Sequence, residues 1–218
     1  MRHDVTEISD VTELARAGAT LIAERARHAV EERGHFTMAV SGGHNPWTMF
    51  RDLASCDMPW EQTVFFQVDE RVAPRGDEDR NLTHLMESFS DVRATVVAMR
   101  VEDDDLDAAA ADYQSRLPER FDLIHLGLGP DGHTASLVAD DPVLDVTDRL
   151  VAVTRPYQGR QRMTLTYPAL ALCDQILWLI TGESARTPLT ALLAGDDTIP
   201  AGRVTAPHSL VMTDLSIK

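Results

Sequence analysis

Apolar positions recur along this chain in two alternating rhythms. Between Val11 and Arg33 they return at helical spacing (Leu14, Ala17, Leu21, Ile22, Ala26, Ala29, Val30), which predicts an amphipathic helix capped by Asp10 and stopped by Gly34. Three short, predominantly apolar runs follow at 36–40, 63–68 and 121–126. Runs of that length without polar alternation predict strands buried on both faces. Pro46 opens a second helix through Leu53, and further helices are expected at 83–89, 106–117 and 187–193. Weaker strand patterns stand at 95–98, 150–154, 162–166, 176–181 and 209–213. Strands alternating with helices predict an α/β fold, a three-layer α/β/α arrangement whose mostly parallel, Rossmann-like sheet carries helices on both faces. No repeat, low-complexity tract or linker divides the chain, so one domain over 1–218 is expected.

Each of the three clearest strands ends in a polar, turn-forming signature. The first runs into Ser41-Gly42-Gly43, the second into Asp69-Glu70-Arg71, and the third into Gly127-Leu128-Gly129-Pro130-Asp131-Gly132-His133. In a doubly wound sheet the carboxyl ends of the strands share one edge, where ligands bind, so all three would line one crevice. The glycines allow sharp turns and close backbone approach to a ligand. Ser41-Gly42-Gly43 before a helix offers N–H groups and a positive dipole end, which suits a phosphate. Asp69 and Glu70 have the chemistry to orient or deprotonate, Arg71 to hold an anion, and His133 to act as a general base near neutral pH. Thr134-Ala135-Ser136-Leu137 reads as the first turn of a following helix. The bland alternatives are a tight loop at Ser41, a salt-bridged loop at Asp69 and a surface histidine at 133; three such ends together favour a small phosphorylated ligand and acid–base chemistry. No Gly-x-Ser-x-Gly nucleophile and no metal-ligand spacing is present.

Composition narrows the field. A formal net charge of −15 speaks against a nucleic-acid partner, which requires clustered cations. Lys218 is the single lysine among 20 basic residues, so any anion site must use arginine forks, helix N-termini or backbone amides. The arginines thicken at Arg71/Arg75/Arg80, at Arg155/Arg160/Arg162, and at Arg186 and Arg203. The acidic stretch Glu102-Asp103-Asp104-Asp105 reads as a solvated loop without function beyond solubility. Cys56 and Cys173 are too few for a disulfide framework and read as free thiols in a reducing compartment. Residues 1–10 lack a basic-then-apolar leader and no apolar stretch is long enough to span a bilayer, so no membrane association and a cytoplasmic location are expected. The assembly is expected to be a monomer or a small homo-oligomer.

The Gly127-Leu128-Gly129-Pro130-Asp131-Gly132-His133-Thr134-Ala135-Ser136-Leu137 segment resembles the 6-phosphogluconolactonase family, within the larger group that includes glucosamine-6-phosphate isomerase/deaminase. Ser41-Gly42-Gly43, Asp69-Glu70-Arg71-Val72 with Asn81, and Arg162-Met163-Thr164-Leu165-Thr166 with Pro168 and Leu170 follow in the family's order over nearly the whole chain. The resemblance implies hydrolysis of 6-phospho-D-glucono-1,5-lactone to 6-phosphogluconate, the second step of the oxidative pentose phosphate pathway. It implies that His133 activates water and that Asp131 orients the turn presenting it. Arg71 and the turn amides, Gly129 and Gly132 among them, would stabilise the oxyanion. Ser41, Gly42, Gly43 and Arg162 would hold the phosphate. The small-molecule sugar lactone is the only partner implied, and no metal or organic cofactor.

The chain departs from the family pattern in three places. The phosphate turn continues His44-Asn45-Pro46 where a Ser or Thr is usual, with His44 as the stand-in donor. Val138-Ala139-Asp140 replaces Phe-Pro-Gly. The late Gly-x-x-Lys reads Gly182-Glu183-Ser184-Ala185, leaving neighbouring Arg186 as the substitute cation about 100° further round a helix. Two alternatives stay open. A sugar-phosphate isomerase/deaminase would use Asp69 as base, but deaminase relatives carry a carboxylate where Val138 stands. A non-catalytic sugar-phosphate binder would have to act without DNA, since no helix-turn-helix fits before Phe36.

Overall fold

In a computed structural model the chain is described over residues 2–217, with His44 and Asn45 described by backbone alone. The elements run β1 (Asp4–Glu7), α1 (Val11–Arg33), β2 (Phe36–Val40), α2 (His44–Ala54), β3 (Thr63–Gln67), β4 (Asp69–Arg71), α3 (Asn81–Ser88), β5 (Thr95–Val97), α4 (Leu106–Ser115), β6 (Phe121–Leu126), β7 (Val151–Val153), β8 (Arg162–Leu165), α5 (Tyr167–Leu170), β9 (Cys173–Ile180), α6 (Arg186–Ala194) and β10 (His208–Thr213). The first helix begins and ends where its caps predict. Asp10 accepts from the amides of Thr12 and Glu13 at 2.8 and 2.9 Å, and Gly34, at φ 81°, returns its N–H to Val30.

Seven strands form the main sheet in the order β1-β10-β9-β6-β2-β3-β5, every pairing parallel. Side chains alternate across it, as a period of two requires. Met38, Val40, Leu123, Leu177 and Leu179 pack under α1, α2 and α3. Ala39, Ile124, Leu126, Ile176, Trp178 and Ile180 pack under α4, α6 and a second, smaller sheet. Helices on both faces of a parallel sheet make the expected three-layer α/β/α fold. Among the described residues no helix is long and apolar enough to cross a membrane.

The small sheet departs from the sequence expectations. Asp69–Arg71, read as the polar end of the second apolar run, is a separate strand, and β7 and β8 leave the parallel sheet to join it in the order β4-β8-β7, antiparallel throughout. Val68 is the point of departure: its amide still donates to Val40 of the main sheet at 2.9 Å, while its carbonyl accepts from Leu165 at 2.8 Å. A second surprise is β1, a fully exposed edge strand without an apolar signature. The acidic stretch also does more than solvate. Glu102 holds the buried Arg80 guanidinium at 2.9 Å and Asp105 caps α4 through the Ala108 amide.

Candidate active site

The strand order reverses between β2 and β6: successive strands are added outward from β2 on one side and outward from β6 on the other. A crevice opens at such a reversal because the two following connections leave on opposite faces. Here Ser41-Gly42-Gly43 leaves β2, Gly127-Leu128-Gly129 leaves β6, and Asp69 and Arg71 stand on β4 just beyond β3. All of them line one cleft, joined by Asn81, His133, Thr134, Ala135, Arg162, and Leu179 and Thr181 from the end of β9.

One wall presents an imidazole. His133 Nδ1 lies 2.5 Å from Asp131 Oδ1, which also accepts the His133 amide at 3.2 Å. Tyr157 donates its hydroxyl to the other carboxylate oxygen at 3.0 Å. Partial burial alone would raise the Asp131 pKa, but the hydrogen bond and charge of His133, helped by Tyr157, hold it below the usual carboxylate value. An ionised Asp131 fixes the Nδ1–H tautomer and leaves Nε2 as the basic nitrogen. The ring packs directly on Gly129: a Cβ there would fall 2.1 Å from Nδ1, so no side chain fits beneath this histidine.

The expected helical turn after His133 does not form. Thr134 and Leu137 close a tight turn, with the Leu137 amide on the Thr134 carbonyl at 2.9 Å and Ala135 at φ 52°. A non-glycine residue in the left-handed region is uncommon, and the turn is held from both sides. Thr134 Oγ1 donates to the Gly127 carbonyl at 2.8 Å, and Ser136 Oγ donates to Asp69 Oδ2 at 2.6 Å.

The opposite wall is cationic. Arg71 and Arg162 face each other across β4 and β8. Among the described residues neither guanidinium is in an ion pair: Arg71 reaches the Asp79 carbonyl at 2.6 Å, and Arg162 reaches Ser136 and Gln158 at 3.4 and 3.2 Å. Among the described residues the Nε atoms of both, Ser41 Oγ and Asn81 Oδ1 are buried without a partner. Buried polar atoms left unpaired are costly unless a ligand takes them up, and the guanidinium N–H groups and the Ser41 hydroxyl can donate to an anion. Burial depresses the Arg162 pKa and Arg71 adds to it, with Asp69 opposing. Asn81 packs flat on Gly42, where a Cβ would meet its Oδ1 at 1.9 Å, so the phosphate-type turn and the α3 terminus touch directly. No three His, Cys, Asp or Glu side chains among the described residues converge as metal ligands, and this donor set suits an anion.

The cleft therefore gathers Ser41, Gly42, Gly43, Asp69, Arg71, Gly129, His133 and Arg162, with Asp131 behind the histidine. Gly132 lies behind the turn against Ile199, away from the cleft. Arg186 is not there either. It sits in another recess with Leu189 and Ser216, bound to Glu183 at 2.5 Å and to the Ser216 carbonyl at 2.9 Å. A short turn at Glu183–Ala185 precedes α6 and aims its first residue away. The His44 side chain lies outside the described residues. Glu70 has no freedom for acid–base work, since Gln67 Nε2 and the amides of Arg71, Asn81 and Leu82 all donate to it at 2.8 Å. Three residues here are not among those the sequence singles out for the site: Ser136 and Asn81, which lie inside the family-like segments, and Tyr157, which sits in a polar loop that carries no signal.

The family model of glucosamine-6-phosphate isomerases/6-phosphogluconolactonase matches residues 9–213. The chain belongs to this family. Among similar proteins in the family, the 6-phosphogluconolactonase of Rattus norvegicus is 32% identical over 92% of this chain and 86% of its own. That of Pseudomonas putida is 32% identical over 88% and 84%. The solved 6-phosphogluconolactonase of Thermotoga maritima superposes with a TM-score of 0.89 at 27% identity, covering 97% of this chain and 99% of its own. A monomeric glucosamine-6-phosphate deaminase also shares the fold, with a TM-score of 0.85 at 17% identity over 96% of each chain. Fold alone thus does not separate hydrolysis from deamination; the site must.

Proposed function

We propose that this chain is a single-domain, cytoplasmic lactone hydrolase that opens 6-phospho-D-glucono-1,5-lactone to 6-phospho-D-gluconate. The observation that carries this reading is the His133–Asp131 pair facing two arginines that, among the described residues, no carboxylate ion-pairs. The names of the relatives support the choice of substrate.

The substrate's phosphate would sit between Arg162, Arg71 and the amides of Ser41-Gly42-Gly43 at the start of α2, an eleven-residue helix whose dipole favours the anion. That anchors the lactone with its carbonyl toward His133. Nε2 takes a proton from water as its oxygen bonds to the carbonyl carbon, and Asp131 stabilises the imidazolium that forms. The carbonyl electrons move onto the exocyclic oxygen, where the amides of the Gly127-Leu128 turn would donate in place of those of Gly129 and Gly132, which are engaged by the His133 and Gly129 carbonyls. Collapse breaks the bond to the ring oxygen, which recovers the proton from Nε2 and leaves as the hydroxyl of the open acid. The lactone is already an activated ester, so no step calls on a metal or an organic cofactor. Deamination would need the carboxylate that Val138 replaces.

The test is the rate of hydrolysis of freshly prepared lactone, with spontaneous opening subtracted and product followed by its dehydrogenase. His133→Ala should lose at least about 100-fold in kcat while still binding 6-phosphogluconate. Undiminished turnover in that variant would remove His133 from the mechanism. Release of ammonia from glucosamine 6-phosphate would favour deamination instead.

A further inference from the structure

Between β7 and β8 the chain makes a tight turn, with Tyr157 and Arg160 bridged and Gln158 and Gly159 at φ 52° and 80°. Arg160 clasps this turn to the loop after β4 through Asp79, at 2.7 and 3.0 Å. Tyr157 is thereby placed against three groups at once. Its hydroxyl takes the Asp131 oxygen that His133 leaves free, at 3.0 Å. Its ring meets the His133 ring edge-on, centroids 5.4 Å apart. The Arg162 guanidinium lies over its face, 5.0 Å from the centroid. Gln158 closes the circuit, accepting from Arg162 at 3.2 Å and donating to the Tyr157 oxygen at 3.3 Å.

We propose that Tyr157 is a positioning residue that couples the phosphate-holding guanidinium to the acid–base pair, a role that rests on the reading of His133 and Arg162 given above. Asp131 is largely open to solvent on its outer side, with a side chain 41% exposed. A carboxylate held through one oxygen swings about its terminal bond. Donation to the second oxygen stops that swing and keeps the first aligned with Nδ1, the service that outer hydrogen bonds perform for histidine ligands in metal sites. The aromatic face in turn holds Arg162 at the height where the anion arrives. Anchoring and chemistry are thus set by one side chain.

The experiment compares Tyr157→Phe and Tyr157→Leu by kcat and KM for lactone hydrolysis, each also in the Asp131→Ala background, with His133→Ala as control. Tyr157→Phe keeps the ring and loses the hydroxyl; kcat should fall about tenfold with KM unchanged to within about twofold. Tyr157→Leu removes the ring as well and should also raise KM. In the Asp131→Ala background Tyr157→Phe should cost nothing further, since its partner is gone. Wild-type kcat in Tyr157→Phe, or an equal loss in both backgrounds, would overturn the proposal. If His133→Ala is inactive and Tyr157→Phe is not, the Tyr157 role alone fails; if His133→Ala retains full turnover, the reading beneath it fails.

Discussion

Gly129→Ala tests how closely the histidine must be held. The added Cβ would lie 2.1 and 2.2 Å from Nδ1 and Cε1 of His133 and 2.8 Å from Asp131 Oδ1. To restore an ordinary contact of 3.4 Å the ring must retreat by about 1.3 Å, the difference between 3.4 and 2.1 Å. Gly129 is not among the glycines at positive φ, so alanine adopts its backbone without strain. The clash also falls on the far end of a side chain, which can rotate away without disturbing the core. Folding should therefore be nearly indifferent, within about 1 kcal/mol. Chemistry should not be: a displacement of that size at the reacting group costs roughly 100-fold. The phosphate groups lie on other strands, so KM should hold. The coupled lactonase assay reads kcat and KM, and urea unfolding reads stability. A variant with near wild-type kcat would show that His133 need not sit where it does; a variant that loses several kcal/mol would show that the turn, not the ring, absorbs the clash.

Two further outcomes are expected. Arg162→Ala should raise KM at least about tenfold while Arg186→Ala leaves it unchanged, because only the former faces the cleft; equal effects in the two variants would reject this placement of the anion. His125 is wholly buried, edge-on to Phe50, and burial pushes its pKa down from 6.5 to about 3. A depressed histidine pKa means that the unfolded chain binds the proton first, so this stability is complete above about pH 6.5 and drains away as the pH falls toward 3. Between pH 7 and 5 the wild type should lose about 2 kcal/mol more than His125→Leu in urea unfolding; parallel declines would refute it.

Much of this was legible because burial on both faces writes itself as short, predominantly apolar runs. β2, β3 and β6 announce themselves in that way, and the rule that strand ends share an edge brings Ser41, Asp69 and His133 to one crevice. Two strands of the small sheet show as weak patterns at 150–154 and 162–166, but its third strand and its separation from the main sheet do not. Asp69-Glu70-Arg71 is polar, three residues long, and pairs with a segment some ninety positions later, so neither periodicity nor proximity betrays it. Ala135 takes a left-handed conformation that its residue type does not advertise. Arg186 failed because its direction is set by the short turn before α6, not by helical phase counted from Gly182. Tyr157 matters through what it touches, and nothing local distinguishes it from other loop residues.

The opposition of Arg71 and Arg162 across the small sheet has a consequence for how such a protein can vary. Along β8, Met163 and Leu165 point into the apolar interior while Arg162 and Thr164 point toward Ser136 and the cleft. Sliding β8 by one position would exchange these sets, burying a cation in hydrocarbon and offering methionine to the substrate. The forces that keep the interior dry are therefore the same ones that aim the guanidinium. Substitutions that retune ligand preference have the loop at 155–161 to work in, which spares the interior so long as Tyr157 keeps its place against Asp131. Changes within β8 itself are judged twice, once by solubility of the folded chain and once by turnover, and few will pass both.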